Sequence, residues 1–187
     1  MSTIASPYGL RPVGKTSAGY NSQGFDTRAI ASGYATQINF GDAVKSIADG
    51  TIEKDTGTTA LTPYGVFLGC EYTDAAGKRQ HSQFWPAGQV SLDAKAKIST
   101  DPNDVFQIQA DGSITLAAVG ANAAIVQTAG VFGRSRNALQ ASSVNTTSGL
   151  PLRIVGIAEM PENAVGDAYT DVLVKFTNHQ LTALAGI

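Results

Sequence analysis

The chain has 187 residues, 43% of them hydrophobic, enough for one good-sized domain with a real core, and this excludes wholesale disorder. Charged residues make up only 15%, and the net charge is −2 with a pI near 5.6. That balance excludes the basic stripe needed for nucleic-acid binding by counterion release, so the densest basic spots, Lys78-Arg79 and Arg134 with Arg136, read as solvated surface cations.

The opening "MSTIASPYGL" has neither a basic stretch nor an apolar run, so it does not read as a signal peptide. Residues 1–24 are rich in Gly, Ser, Tyr and Pro and lack periodicity. Pro7 and Pro12 push their predecessors toward extended geometry, which predicts an extended N-terminal arm ahead of a single β-rich domain over residues 25–187. Within the arm, "GLRPVGKT" (9–16) fits the phosphate-loop pattern G-x-x-x-x-G-K-[ST] letter for letter. A working phosphate loop needs a buried strand leading in and a helix leading out. Here the short, polar "MSTIASPY" precedes it, the helix-poor "SAGYNSQGF" follows it, and Pro12 deletes one N–H inside it. The match reads as chance, and no cofactor is expected.

From residue 25 the pattern is one of short strands and tight turns. "INFGDAVKSIADGTIEK" breaks at Gly41-Asp42 and Asp49-Gly50. Segments 64–73 and 79–85 flank the turn "DAAGK" as a hairpin, and Cys70, the only cysteine, lies in its apolar first half and is expected to be buried. In "QVSLDAKAKIS", Val90, Leu92, Ala94, Ala96 and Ile98 alternate with polar residues along one predicted strand. "DVFQIQADGSITLAAV" reads as a second hairpin about Asp111-Gly112. The apolar "ITLAAVGANAAIV" is far short of the roughly twenty residues of a membrane span. "SRNALQA" allows at most a short helix, and "LPLRIVGIAEM" and "TDVLVKFTNHQ" are two late strands joined by "PENAVGDAY". The expected fold is all-β, a sandwich or barrel-like domain with hairpins and little helix.

Chemistry is hard to place on this chain. His81 and His179, its only histidines, stand far apart near strand ends. Ser135 in "GRSRN" lacks the closing glycine of a nucleophile elbow. The acids Glu162, Asp167 and Asp171 share one loop but read as solvated, and Asp101 and Asp104 read as turn residues around Pro102. No catalytic or metal-binding residue is expected, and the chain is not expected to be an enzyme.

Four segments together resemble one family. "PYGLRPVG" is similar to the opening of small structural proteins of tailed bacteriophages, and "PYGVFLGCEYTDAAGKRQHSQFWPAG" to their central hairpin. "DPNDVFQIQADGS" resembles the strand that follows, and "RIVGIAEMPENAVGDAYTDVLVKFTNHQ" the closing strand, loop and strand. The resemblance covers about residues 7–15 and 63–180. It implies a capsid decoration, or cement, protein that binds the major capsid protein on the outside of the head, without nucleic-acid or membrane partners. Such a protein is a homo-oligomer, dimer or trimer, made in the host cytoplasm and ending in the virion. Tyr8, Leu10 and Arg11 of the arm are the expected capsid contacts, since aromatic and Arg side chains are enriched at interface centres. A tail or head–tail connector component is the alternative. A carbohydrate-binding module has less to build on, with Trp85 the only Trp and aromatics at 7%.

Overall fold

The computed structural model describes residues 3–16 and 25–183. Strands follow in chain order as β1 (Arg11–Lys15), β2 (Asp26–Ile30), β3 (Ile38–Asn39), β4 (Ala43–Ser46), β5 (Thr51–Lys54), β6 (Gly65–Thr73), β7 (Arg79–Ser82) and β8 (Phe84–Trp85). The second half adds β9 (Lys95–Ser99), β10 (Asp104–Gln109), β11 (Asn122–Ala123), β12 (Ile125–Val126), β13 (Ala138–Leu139), β14 (Leu152–Ile157) and β15 (Asp171–Phe176). The only helical pieces among the described residues are two 3-10 turns, Leu116–Ala118 and Ala141–Ser143, so the chain is all-β as its pattern predicts. No helix among them is long and apolar enough to cross a membrane.

Strands β4, β5, β2, β9 and β6 pair in that order, and β4 pairs with β6 to close a small barrel. Its only parallel contact is β2 with β5. The predicted hairpin at "DAAGK" forms: β6 and β7 pair antiparallel, and the Asp74 carboxylate accepts the N–H groups of Ala76 and Lys78. Trp85, Phe67, Ile38, Ile52 and Ile98 fill the barrel. The second sheet has the order β1-β10-β15-β14-β11, and its late pair β14–β15 is the predicted closing strand–loop–strand. Phe106, Ile108, Leu152, Ile154, Val172 and Val174 form its core.

The two cores share a wall. On β4 and β6, Ala43 and Val66 point into the sheet core while Val44 and Phe67 point into the barrel. A strand pair with both faces buried carries a nearly continuous apolar run, which is why "YGVFLGCEY" lacks alternation. At the foot of this wall the fully buried Asp42 accepts from the Asn39 N–H (2.9 Å), from Asn137 Nδ2 (3.2 Å) and from Lys54 Nζ (2.9 Å). Backbone bonds knit the same place together, Leu10 N–H to Gly41 O and Gly9 N–H to Asn137 O.

Three sequence expectations change. The N-terminal segment is extended, but residues 11–15 pair with β10 as the sheet's edge strand, where Pro12 costs no ladder bond to an outer neighbour. Residues 17–24 of the expected arm lie outside the described residues. The strand expected from Val90 begins only at Lys95. Val90 and Leu92 are exposed, and Ser91 and Asp93 form a turn whose carboxylate accepts from Thr73, Ser91 and Arg79. Those bonds, the Thr73 hydroxyl foremost, hold Asp93 well below the usual carboxylate range. The hairpin at Asp111-Gly112 does not form either. Both edges of β10 are already taken, by β1 and β15, so no edge remains for a returning strand, and Asp111 instead accepts the Ala141 N–H.

Two measurements check this architecture. Asp42→Ala leaves Lys54, whose side chain is only 10% exposed, without its counter-charge and should cost about 3–5 kcal/mol in urea unfolding. His179 is buried, its Nδ1 accepts the Leu181 N–H (3.2 Å), and its Nε2 has no partner among the described residues, so the neutral ring is the one that fits. Burial lowers its pKa from the ordinary 6.5, so the unfolded chain takes up the proton first and stability falls as pH drops below 6.5. The melting temperature of the wild type should therefore fall between about pH 6.5 and 5 more steeply than that of His179→Gln.

Candidate functional site

Residues 3–8 run across the outer face of β10 and β15. The face-out amides of β10 hold them there: Gln109 Oε1 accepts the Ser6 N–H (2.7 Å) and its Nε2 donates to Ile4 O (3.4 Å). Tyr8 donates its hydroxyl to Asp171 Oδ1 at 2.5 Å. Burial first, and then this bond, raise the phenol pKa far above its ordinary value, so Tyr8 stays a protonated donor. At Gly9 the chain turns with φ +75°, and a Cβ there would sit 2.5 Å from Ser135 Cβ. Only glycine lets the segment press this closely on the 129–136 loop. Its passage brings Tyr8 and Arg11 beside Arg134 and Gln83, around a cleft of about 440 Å³.

The loop itself ends in a tight turn, Val131–Arg134, closed by Val131 N–H to Arg134 O (3.0 Å) and Arg134 N–H to Val131 O (3.1 Å). Its central residues both have positive φ, Phe132 at +50° and Gly133 at +76°, which makes it a type I′ turn. Asn, Asp or Gly normally occupies the first of these positions, because a side chain in the left-handed region costs about 1–3 kcal/mol. Here a phenylalanine stands there, 98% exposed. The base of the turn is fixed: Phe40 N–H donates to Gly133 O, Ser135 N–H donates to Phe40 O, and a Cβ on Gly133 would meet the Phe84 ring at 2.6 Å.

Around this turn the surface is continuous. One hollow of about 530 Å³ lies between Pro7, Tyr8, Phe132 and Arg136, and another of about 580 Å³ lies across Tyr8 beneath Ile4, Met160 and Pro161, with Glu162 at its rim. Arg11, Arg134 and Arg136 are exposed, and no ion pair among the described residues involves them.

Of the three expected contact residues, two stand on this surface and one does not. Tyr8 and Arg11 line the same cleft. Leu10, immediately ahead of β1, is fully buried in the sheet core, so its side chain is not available to a partner.

The phosphate-loop match has a structural explanation. Its residues 11–15 are strand, running from Arg11 opposite Gln107 to Lys15 opposite Asp104 with a bulge between Pro12 and Gly14, so their N–H groups do not converge on an anion. Lys15 binds Asp101 Oδ2 at 2.5 Å and lies 3.9 Å from Asp104 Oδ1, while Thr16 N–H donates to Asn103 O. Its hydrogen bond holds Asp101 below the usual carboxylate range, whereas burial raises Asp104. The lysine is the counter-ion of a turn.

The other reactive residue types are dispersed. Asp171 serves Tyr8, Asp167 accepts the Ala164 N–H (2.9 Å), and Glu162 faces the hollow, so the three loop acids do not converge. His81 sits 3.6 Å from Glu71 on the exposed strand β7. Burial pushes the Cys70 thiol up to about 12, and its Sγ faces Phe84 O. Among the described residues no three His, Cys, Asp or Glu side chains are placed to hold a metal ion. Comparison with known protein families, with curated proteins and with solved structures finds no match to this chain.

Phe132 is the site residue that sequence reasoning misses. Phe-Gly is not a recognised hairpin signal, and only Gly133 hinted at the turn. Phe132→Asn, which suits the left-handed position, should raise stability by about 1 kcal/mol. In a thermal melt that is a gain of about 2–4 °C.

Proposed function

We propose that this chain is a non-enzymatic virion structural protein, a capsid decoration protein that binds the outer surface of a tailed phage's major capsid protein shell. The observation that carries the reading is the surface centred on Tyr8, where an exposed aromatic and three arginines without ion pairs stand on a rigid frame. Interface centres are enriched in these residue types, and a pre-ordered surface loses little entropy on binding. Lys15 and Asp101 are engaged at a turn, Asp93 organises another, and Cys70 lies in the core.

The sequence resemblance supplies the partner. Its opening segment carries Tyr8 and Arg11 and runs into β1, and its closing segment contains Asp171, which holds Tyr8 in place. Attachment in many copies to a repeating lattice makes modest single contacts sufficient, through effective concentration. Closed symmetry suits a dimer or trimer near the lattice axes.

Purified protein, pelleted with expanded shells that lack it, should saturate at a simple ratio of copies per capsid subunit. Absence of binding to both expanded and unexpanded shells overturns the reading.

A further inference from the structure

We propose that the Phe132 turn is the anchor of this contact, and that it seats in an apolar pocket of the partner protein rimmed by carboxylates. The proposal rests on the decoration reading and adds the chemistry of the partner's surface.

Three observations lead to it. The first is a conflict between levels of structure. Phe132 combines a backbone conformation that disfavours any side chain but a small polar one with an apolar ring left in water. A residue unfavourable on both counts points to a task performed in a complex. The second is rigidity. Both closing hydrogen bonds, the link to Phe40 and the contact of Gly133 with Phe84 fix where the ring projects, so seating it requires no ordering of the loop. The third is charge. Arg134 and Arg136 flank the turn and Arg11 faces Arg134 across the adjoining cleft, none of the three in an ion pair among the described residues, in a chain whose net charge is −2. Ion pairs elsewhere take up acids such as Glu53 with Lys45, Asp93 with Arg79 and Asp101 with Lys15, and none among the described residues reaches these three arginines. Arginines kept clear of carboxylates and presented beside an anchor fit planar carboxylates on the other side, which the guanidinium grips two bonds at a time.

The same observations decide against two other occupants. A nucleic acid is bound by a stripe of cations tracking a backbone, whereas here an apolar ring is at the centre and the cations flank it. A second copy meeting this turn across a two-fold axis would bring Arg134 and Arg136 against themselves, a like-charge contact.

The test uses the full chain and expanded shells lacking it, across a range of salt concentrations, with a thermal melt to verify that each variant is folded. Phe132→Asn should bind at least about 30-fold more weakly, the loss expected of a central anchor, while keeping the wild-type salt dependence. Arg134→Gln with Arg136→Gln should lose about tenfold at low salt and flatten the salt dependence, since rim charges act chiefly through screened attraction. If wild type pellets with shells and both variants match it, the anchor is overturned while the decoration reading stands. If wild type binds no shell, the reading itself falls and takes the anchor with it. Binding of a 30-base-pair DNA duplex that is lost with the arginines and kept by Phe132→Asn would overturn the proposal in favour of nucleic acid. Self-association abolished by Phe132→Asn would overturn it in favour of a second copy.

Discussion

The carboxylate of Asp42 is the constraint on which the rest of the molecule depends. It is wholly buried, and a buried charge persists only when opposite charge and hydrogen bonds replace the water it has lost. Those replacements come from Asn39 three residues earlier in β3, from Lys54 at the end of β5, and from the distant Asn137 just before β13. Satisfying one group therefore fixes three segments to one another. Because Gly41 and Asn137 also accept the backbone N–H groups of Leu10 and Gly9, the N-terminal segment is tied into the same junction.

From that junction the two cores extend in opposite directions. The pair β4–β6 serves both, with alternate side chains entering the barrel and the sheet, so the barrel cannot shift without repacking the sheet. This rigidity reaches the surface through a short path. Asn39 lies against Gly130, Phe40 bonds both Gly133 and Ser135, and Gly9 presses on Ser135. The exposed Phe132 turn thus stands only a few residues from the Asp42 junction, and its left-handed backbone is held by the bonds of Phe40 to Gly133 and Ser135.

The same economy explains the chain's low charge. With 15% charged residues, most acids have structural tasks: Asp74, Asp93 and Asp101 organise turns, Asp42 joins the cores and Asp171 anchors Tyr8. Arg11, Arg134 and Arg136 enter no ion pair among the described residues, and they stand together along the surface of Tyr8 and Phe132. Their separation in sequence, Arg11 from the other two, hides the cluster until β1 and the 129–136 loop are brought side by side.

Local signals were enough for what local physics governs. The all-β class, the "DAAGK" hairpin, the closing pair β14–β15 and the burial of Cys70 all follow from turn residues, alternation and proline, which act over a few residues. Tertiary structure decided whatever depends on which edges and faces are free. Asp111-Gly112 has the residues of a hairpin turn, but β1 and β15 occupy both edges of β10. Val90 and Leu92 continue an alternating pattern, but the chain has already turned out to solvent there. Leu10 looks like an arm residue and is core, because β1 completes a sheet whose other strands lie roughly a hundred residues or more downstream. Phe132 is legible as a site only once its φ, its exposure and its arginine neighbours are known together, and those properties belong to the packed chain rather than to any short segment of it.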